Sequence, residues 1–323
     1  KEIYFTSGGT ESNNWAIRGA VEANKRNGNK IITTMVEHAS VKSPMKYLEN
    51  QGYEVTYLPV DEYGVVSIDA LKEAMSEDTI LVSIMYVNNE VGAIEPVEEI
   101  GKYIKSVNKN VIYHIDAIQA FGKLEIKPRK SNIDVLTVSG HKIHGPKGTG
   151  FMYLKKNAKV NPFILGGGQQ EGMRSGTENV PGIAGIGQAA KDCYDNLQEN
   201  VSKMTELKDY LIDSLQTIDG VTINSRKGAE GAPHVVSASF SGVRSEVLLH
   251  ALEDKGVYIS AGSACSSNKP AISETLKAMG IGKDLLGSTV RFSFCKDNTK
   301  EEIDYAVEQL KQMLPILRKY VRR

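Results

Sequence analysis

Apolar runs alternate with helix-type patterns along most of the chain. The strongest run is "TILVSIMYV" at 79–87, which lacks the apolar–polar alternation of a strand with one exposed face. Helix-type spacing of apolar residues follows several of these runs, near 11–27, 41–51, 67–76 and 97–108. Strands buried on both faces and separated by helices are typical of a parallel sheet covered by helices. The pattern predicts an α/β fold whose strands are 2–7, 30–35, 53–60, 79–87, 111–117, 134–139 and 150–154.

After residue 182 the pattern changes. A long helical stretch at 183–217 is followed by a mixture of shorter strands and helices. The predicted strands there are 234–240, 256–260 and 289–294, and the predicted helices are 245–255, 273–279 and one from about 299. We therefore expect a large domain over 1–198 and a smaller α+β domain over 199–323.

Composition narrows the class of protein. Lys+Arg and Asp+Glu both number 39, so the formal net charge is zero and gives no general attraction to nucleic acid or to an anionic membrane. No apolar run approaches the roughly 20 residues needed to cross a bilayer. The 3 cysteines, Cys193, Cys265 and Cys295, are widely spaced and form no Cys-x-x-Cys pair. This pattern disfavours a disulfide framework and favours a reducing cytoplasm.

Polar and glycine-rich stretches follow several predicted strands. In a parallel sheet the carboxyl ends of the strands meet at one edge, where ligands bind. "TSGGTESNN" follows the first strand, and the backbone N–H groups at the start of the next helix could bind a phosphate. A Ser or Thr followed by Glu is also a common helix cap, so both interpretations stay open at this point.

Two other strand ends carry candidates for binding a flat, nitrogen-containing ring. Asp116 closes "VIYHIDA", and a buried carboxylate requires a cationic partner, for which a pyridinium nitrogen would serve. A helix N-cap is an equal alternative for Asp116. His38 follows "TTMVE", and its ring could stack on a cofactor, although a packed or surface histidine is the commoner role of such a residue taken alone.

The stretch "SGHKIHGPKG" at 139–148 leads from one apolar run towards the next. A lysine desolvated at such a place has a lowered pKa and can form a Schiff base with an aldehyde. Lys142 is therefore the candidate nucleophile, with Ser139 and His141 beside it as candidate phosphate ligands. Most lysines are solvated surface charges, and the apolar runs on both sides favour burial of this one.

Two candidates lie in the smaller domain. Arg291 stands within the apolar strand "TVRFSF" and needs an anion, which is either a substrate carboxylate or a structural ion-pair partner. Cys265 lies in "ISAGSACSSNKP", whose small residues predict a mobile loop that could carry a reactive thiol. Cys193 and Cys295 lie in or beside regular elements, and we expect them to be packing residues.

Taken together, these stretches resemble the pyridoxal-phosphate (PLP)-dependent cysteine desulfurases, within the class V aminotransferases of fold type I. The resemblance extends from Lys1 to Arg323. It rests on these pieces in this order: "FTSGGTESNN", "EHASV", "NNEVGAI", "HIDAIQAFGK", "SGHKIHGPKGTGF", "GGGQQEGMRSGTEN", "SAGSACSS" and "TVRFSF".

The resemblance implies a role for each matching position. Lys142 would carry the cofactor, Cys265 would accept sulfur, and His38 would be the catalytic ring that stacks on the cofactor. Asp116 would face the pyridine nitrogen and Gln119 the ring hydroxyl. The implied cofactor-binding set is Gly9, Thr10, His38, Asn89, Asp116, Gln119, Ser139, His141, Lys142 and Thr177.

The resemblance also implies a substrate and partners. Asn89 and Arg291 would bind the carboxylate of L-cysteine, and Thr177 would reach the phosphate of a neighbouring subunit in a homodimer. L-cysteine would become L-alanine while a persulfide forms on Cys265. An acceptor protein, either an iron–sulfur scaffold or a thiolation enzyme, would then take the sulfur.

Two details refine the resemblance. The span from Cys265 to Arg291 resembles the long-loop group of the family. Relatives carry a further segment before "EIYFTSG", so we expect part of the large domain to precede Lys1.

Two other classes compete with the desulfurase. One is a selenocysteine lyase or another class V PLP aminotransferase, which Cys265 in its Gly/Ser-rich loop disfavours. The other is a metal site or scaffold built on "HKIH" and "HID". Only 6 histidines are present and no His-Glu-x-x-His spacing occurs, so no metal is expected.

Overall fold

The computed structural model describes residues 2–261 and 272–320. Within them the chain forms two compact units. The first unit contains the residues up to Pro59, then Val66–Val87 and Glu95–Leu197. The second contains Val60–Val65, Asn88–Ile94 and the chain from Gln198 onward. The predicted domain boundary near 198 stays a prediction, and the two short segments group with the second unit.

The first unit is built on a seven-stranded sheet in the order β1-β7-β6-β5-β4-β2-β3. Its elements in chain order are β1 (Ile3–Thr6), α1 (Gly9–Asn24), β2 (Lys30–Thr34), α2 (Ala39–Glu49), β3 (Glu54–Leu58), α3 (Ile68–Ala74), β4 (Thr79–Met85), α4 (Val97–Val107), β5 (Ile112–Asp116), β6 (Val135–Ser139), β7 (Gly150–Leu154) and α5 (Val180–Asp195).

The strands β2, β3, β4, β5 and β6 run parallel to one another. The strand β7 is antiparallel to both of its neighbours, β6 and β1. The strand β1 therefore runs in the same direction as β6, and the carboxyl ends of all strands except β7 lie at one edge. Every residue of β4 is buried, which explains why its sequence lacks alternation. The predicted α/β fold with a mainly parallel sheet is confirmed.

Apolar residues of α1 pack on the sheet and form a core of this unit. Trp15 and Ile17 of α1 are fully buried and cluster with Ile31, Leu81 and Val135 of the sheet. Small residues also face the sheet from α1, which brings the start of this helix close to the strand ends. This close approach places the helix N-terminus at the edge where the candidate residues lie.

The second unit has a four-stranded antiparallel sheet in the order β10-β11-β9-β8. Its elements are α6 (Leu197–Gln216), β8 (Val221–Ile223), β9 (Val235–Phe240), α7 (Ser245–Glu253), β10 (Ser260–Ala261), α8 (Glu274–Ala278), α9 (Lys283–Leu286), β11 (Thr289–Ser293) and α10 (Lys300–Leu317). Apolar side chains of α6, α7 and α10 form one core with β9 and β11.

Three details of this half differ from the sequence-based expectation. The helix predicted at 183–217 is interrupted at Asn196, whose φ of −126° and ψ of 31° end α5. The strand predicted at 256–260 is wrong for most of its length, because only Ser260 and Ala261 pair with β11 and Tyr258 is 79% exposed. The strand β8 was not predicted, because a run of three residues gives too little pattern.

Helices long and apolar enough to cross a membrane do not occur among the residues that the structure describes.

Candidate active site

The candidate cofactor-binding residues of the first unit follow the carboxyl ends of β1, β2, β5 and β6. The α1 N-terminus follows β1, and His38 lies between β2 and α2. Asp116 is the last residue of β5, and Ser139 is the last residue of β6. The parallel direction of these strands therefore brings to one edge residues that are far apart in the sequence.

Asp116 is a buried carboxylate at this edge, with 4% of its surface exposed. Its oxygens accept hydrogen bonds from Asn13 Nδ2 at 2.7 Å and from the backbone N–H of Ile118 at 3.0 Å. Burial raises the pKa of Asp116 despite these bonds. Across residues 2–261 and 272–320, no ion pair reaches this carboxylate within 4.0 Å. Such a group lacks the cation that compensates a buried charge.

Asn13 lies at the centre of a buried hydrogen-bond network that the sequence did not reveal. Its Nδ2 donates to Asp116 and also to Ser40 Oγ at 2.8 Å. Its Oδ1 accepts the hydroxyl of Thr137 at 2.5 Å. One side chain of α1 thus holds together residues from β5, β6 and α2.

The network continues to His114, two residues before Asp116. Because the Thr137 hydroxyl donates to Asn13, His114 Nε2 donates to Thr137 Oγ1 at 3.3 Å. His114 Nδ1 then accepts the hydroxyl of Ser83 at 2.8 Å. Burial lowers the pKa of His114 to about 3, so this ring is neutral. His114 is therefore a neutral, buried member of the network.

His38 is the N-cap of α2, and its Nδ1 accepts the backbone N–H of Ser40 at 3.1 Å. The Ser40 hydroxyl also lies 2.8 Å from Nδ1. Because Nδ1 is an acceptor, the neutral ring carries its proton on Nε2. Burial lowers the pKa of His38, and the Asp116 charge opposes this effect. A neutral imidazole with a fixed ring orientation results.

Among the described residues, no side chain of the N-cap binds the first backbone N–H groups of α1. Gly8 is the N-cap and has no side chain to satisfy the first N–H groups of the helix. A Cβ on Gly8 would lie 3.7 Å from Ser139 Oγ, and a Cβ on Gly9 would lie 2.2 Å from Ile118 Cδ1. These distances show that the helix start, the end of β6 and the turn after β5 meet. Thr10, in the first turn, is exposed.

Ser139 and His141 are directly connected across this edge. Ser139 Oγ lies 2.8 Å from His141 Nδ1. Ser139 is buried, whereas His141 is exposed. Burial is the largest cause that lowers the pKa of His141, and the positive charge of Lys142 is the next.

Lys142 lies in a short 3₁₀ turn, Gly140–Ile143, that begins directly after β6. Its side chain is half-buried. Burial is the largest cause of the lowered pKa of both His38 and His141, and the positive charge of Lys142 lowers both further. The Lys142 amine is therefore close enough to both imidazole rings for its charge to affect them.

Gln119 and Thr177 are the remaining candidates of the first unit. Gln119 is half-buried in the turn that follows Asp116. Thr177 is exposed and lines a cavity of about 200 Å³ together with Gly176 and Arg174. The expected role of Thr177 towards a neighbouring subunit stays a prediction.

Asn89 and Arg291 lie together in the second unit. Arg291 Nη1 donates to the backbone oxygen of Asn89 at 2.7 Å, and Nη2 donates to Ser260 Oγ at 3.2 Å. Both of these acceptors are uncharged, and the two bonds fix the orientation of the guanidinium.

Of the three cysteines, Cys265 lies outside the described residues. Cys193 is half-buried in α5, and its Sγ lies 3.9 Å from the backbone oxygen of Ile143. Cys295 is half-buried after β11, where its N–H donates to Asn298 Oδ1 at 2.9 Å. In the part of the chain that the structure describes, no group of three His, Cys, Asp or Glu side chains could hold a metal ion.

Comparisons with known proteins agree with the resemblance. Residues 1–306 match the family described as Aminotransferase class-V. A cysteine desulfurase IscS of Methanosarcina thermophila is 43% identical over 317 residues, which are 98% of this chain and 78% of the relative. A putative cysteine desulfurase IscS 1 of Bacillus subtilis is 45% identical over 312 residues, which are 96% of this chain and 82% of the relative.

Solved structures give the same result. A structure described as a NifS-like protein aligns with a TM-score of 0.91 and 39% identity over 98% of this chain and 83% of that one. A cysteine desulfurase of Thermococcus onnurineus aligns with a TM-score of 0.87 and 26% identity over 98% of this chain and 80% of that one. With the family match and the two relatives above, these alignments show that the chain belongs to the class V aminotransferase family and, within it, to the cysteine desulfurases.

Proposed function

We propose that the protein binds PLP, takes L-cysteine as its substrate and transfers the substrate sulfur to the thiol of Cys265. The observation that carries the cofactor assignment is the buried Asp116 carboxylate, for which the described residues supply no ion pair. A carboxylate at this depth requires a cation, and a protonated pyridine nitrogen is one that fits. Asn13 and Ile118 already orient the carboxylate through its two oxygens.

The other groups at this edge support the same cofactor. A phosphate could accept hydrogen bonds from the backbone N–H groups at the start of α1, which the N-cap side chain does not bind. Thr10, Ser139 and His141 would add side-chain donors. His38, neutral and fixed by Ser40, would lie against the ring. Gln119 would donate to the ring hydroxyl, and Lys142 would carry the aldehyde carbon. Gly9 allows the helix start to approach, because a Cβ there would meet Ile118.

PLP, when bound, supplies an aldehyde that takes up an amino group and a ring that withdraws electrons from the substrate. Asp116 would accept a hydrogen bond from the ring nitrogen and so favour its protonated form. Lys142 Nζ, as a neutral amine, would remove the proton from the substrate α-carbon. Charged and polar groups near Lys142 determine its pKa and hence the fraction of the amine that is neutral. Asn89 and Arg291 orient the substrate carboxylate, which brings the α-proton to a defined position.

The sulfur transfer balances without an external oxidant. The Cys265 thiolate attacks the substrate sulfur, an S–S bond forms and the substrate C–S bond breaks. The electron pair of the broken bond returns to the substrate carbon, which takes up a proton and becomes the methyl group of L-alanine. The persulfide on Cys265 then passes its outer sulfur to an acceptor protein, an iron–sulfur scaffold or a thiolation enzyme.

The same proposal includes the oligomeric state of the protein and the compartment in which it acts. A homodimer would give the exposed Thr177 a phosphate in the neighbouring subunit. The reaction would take place in the cytoplasm, where widely spaced thiols stay reduced.

Borohydride reduction tests the cofactor assignment. Wild-type protein loaded with PLP, reduced and digested, is expected to carry a pyridoxyl group on the peptide that contains Lys142. Lys142→Ala should lose this label, whereas Lys147→Ala, which removes an exposed lysine of the same stretch, should keep it. A pyridoxyl group on another lysine of the wild type would refute the assignment of Lys142.

A further inference from the structure

Lys123 is a charged residue that the proposed chemistry leaves without a role. It ends the turn that follows β5, Asp116 is the last residue of that strand, and Gln119 lies within the turn. Its backbone N–H donates to Ala120 at 3.0 Å, which closes the turn. Its Nζ donates to the backbone oxygen of Lys142 at 2.8 Å. A single side chain therefore joins the segment of Asp116 to the segment of Lys142.

The backbone beneath Lys123 is tightly packed. The preceding residue, Gly122, has a φ of 74°, and a Cβ there would lie 3.0 Å from Cys193 Cβ and 3.1 Å from Ile143 Cγ2. Phe121 makes edge contacts with Phe151 at 5.2 Å between ring centroids. Because the Lys123 backbone is held rigidly, its Nζ can hold the backbone oxygen of Lys142 in a defined position.

Among the described residues, two titratable groups act on the charge of the Lys123 ammonium. Lys142 contributes a positive charge, and Cys193, on α5, contributes a thiol. Burial lowers the pKa of Lys123 to about 8, the negative charge of ionised Cys193 opposes this effect, and the Lys142 charge adds to it. Repulsion between two charges is mutual, so a charged Lys123 also disfavours the charged form of Lys142.

We propose that Lys123 is a positioning residue for Lys142, which fixes the Lys142 backbone through the bond to its carbonyl and keeps a second positive charge beside the Lys142 amine. This inference rests on the proposed function only for its consequence in catalysis. A neighbouring cation is one of the known ways to make a lysine neutral, and hence reactive, near physiological pH. The effect is present below a pH of about 8 and fades as Lys123 itself loses its proton above that value.

Three substitutions separate the hydrogen bond from the charge. Lys123→Met removes both and keeps the length of the side chain. Lys123→Gln keeps a donor without the charge, and Lys123→Arg keeps both. Lys127→Met is the matched control, because Lys127 is an exposed lysine on the same stretch whose ion pair is with Glu125.

The measurement is the pH dependence with which the Lys142 amine reacts with fluorodinitrobenzene. Only neutral amines react, and peptide mass spectrometry after digestion reports Lys142 alone. The full chain is freed of cofactor before labelling, so that the result does not depend on the proposed reaction. We expect the midpoint for Lys142 to rise by about one pH unit in Lys123→Met and Lys123→Gln, as for the loss of one close charge. Lys123→Arg and Lys127→Met should keep the wild-type midpoint.

A purely structural role for Lys123 would give a different pattern. It would lower the melting temperature of Lys123→Met but leave the labelling midpoint of Lys142 in the folded protein unchanged. An unchanged midpoint would overturn the proposal. If Lys123→Met does not fold, the midpoint in Lys123→Gln decides in the same way.

Turnover gives a second readout in the PLP-loaded enzyme. We expect kcat with L-cysteine to fall about tenfold in Lys123→Met with little change in KM, because the substrate contacts are untouched. Failure of the proposed function would be seen separately, as wild-type protein that carries no pyridoxyl group on Lys142 after reduction.

Discussion

Removal of the Asn13 side chain should destabilise the first unit far more than its place near a helix start would suggest. Asn13→Ala deletes the bonds to Ser40 Oγ, Asp116 and Thr137, which measure 2.8, 2.7 and 2.5 Å. All four side chains are buried, so water cannot replace the lost partner. In the variant, buried polar groups of β5, β6 and α2 therefore each lose one hydrogen-bond partner.

The magnitude follows from these three bonds. Each bond to a neutral hydroxyl contributes about 1 kcal/mol, and a bond to a carboxylate contributes about 1.5–3 kcal/mol. The expected loss in the free energy of unfolding is therefore about 4 kcal/mol. Against a typical stability of about 5–15 kcal/mol, such a loss is large enough to move a urea midpoint clearly.

Trp15 provides the assay, because it is the only tryptophan of the chain and is fully buried on the same helix. Urea unfolding followed by its fluorescence reports the first unit. Asn14→Ala is the matched control, since the hydrogen bond of Asn14 Nδ2 goes to the backbone oxygen of Thr10 within its own helix. The control should lose less than about 1 kcal/mol. An equally small loss in Asn13→Ala would refute the network as a stabilising centre.

Two further predictions follow from the buried groups and from the second unit. Burial raises the pKa of Glu37 from 4.5 to about 8, so this carboxyl stabilises the folded state fully below pH 4.5 and loses that contribution as the pH rises through about 8. Urea titrations should show a fall of up to about 4 kcal/mol between pH 5 and pH 9 that is absent from Glu37→Gln, and a wild-type profile as flat as that of the variant would contradict the shift. Arg291→Lys keeps the charge but cannot reproduce the two bonds to Asn89 and Ser260, so KM for L-cysteine should rise roughly tenfold to a hundredfold while PLP absorbance is retained. An unchanged KM would remove Arg291 from the substrate site.

Much of the fold could be predicted because its strands are buried on both faces. Residues such as those of β4 must then be apolar throughout, and continuous apolar runs separated by helical patterns are easy to recognise. The location of Asp116 and Ser139 was predictable for the same reason, since both directly follow such runs. Parallel strands carry these residues to a common edge whatever their separation in sequence.

The network around Asn13 could not be predicted, because two of its three partners lie far away in the sequence, 103 positions for Asp116 and 124 positions for Thr137. A polar residue near a helix start is normally a cap or a solvated side chain. One signal was available: Ser12 and Asn13 occupy the face of α1 that continues as Ala16, Ile17 and Ala20, and this face is buried. Polar residues on an otherwise apolar face indicate a buried polar contact.

Lys123 was hidden for a related reason. Its bond goes to a backbone carbonyl, and no side-chain pattern reports where such a carbonyl lies. The break of the long helix at Asn196 was also invisible, because Asn is tolerated within helices and only its backbone angles show the interruption. Tertiary context decides both features.

Alanine release from L-cysteine by the single cysteine variants tests the proposed reaction most directly. Wild-type protein loaded with PLP should release alanine and carry one extra sulfur atom on the peptide that contains Cys265. Cys265→Ala should bind PLP as the wild type does but release little alanine, whereas Cys193→Ala and Cys295→Ala should remain active. Normal alanine release by Cys265→Ala, or the extra sulfur on Cys193 or Cys295, would contradict sulfur transfer to Cys265.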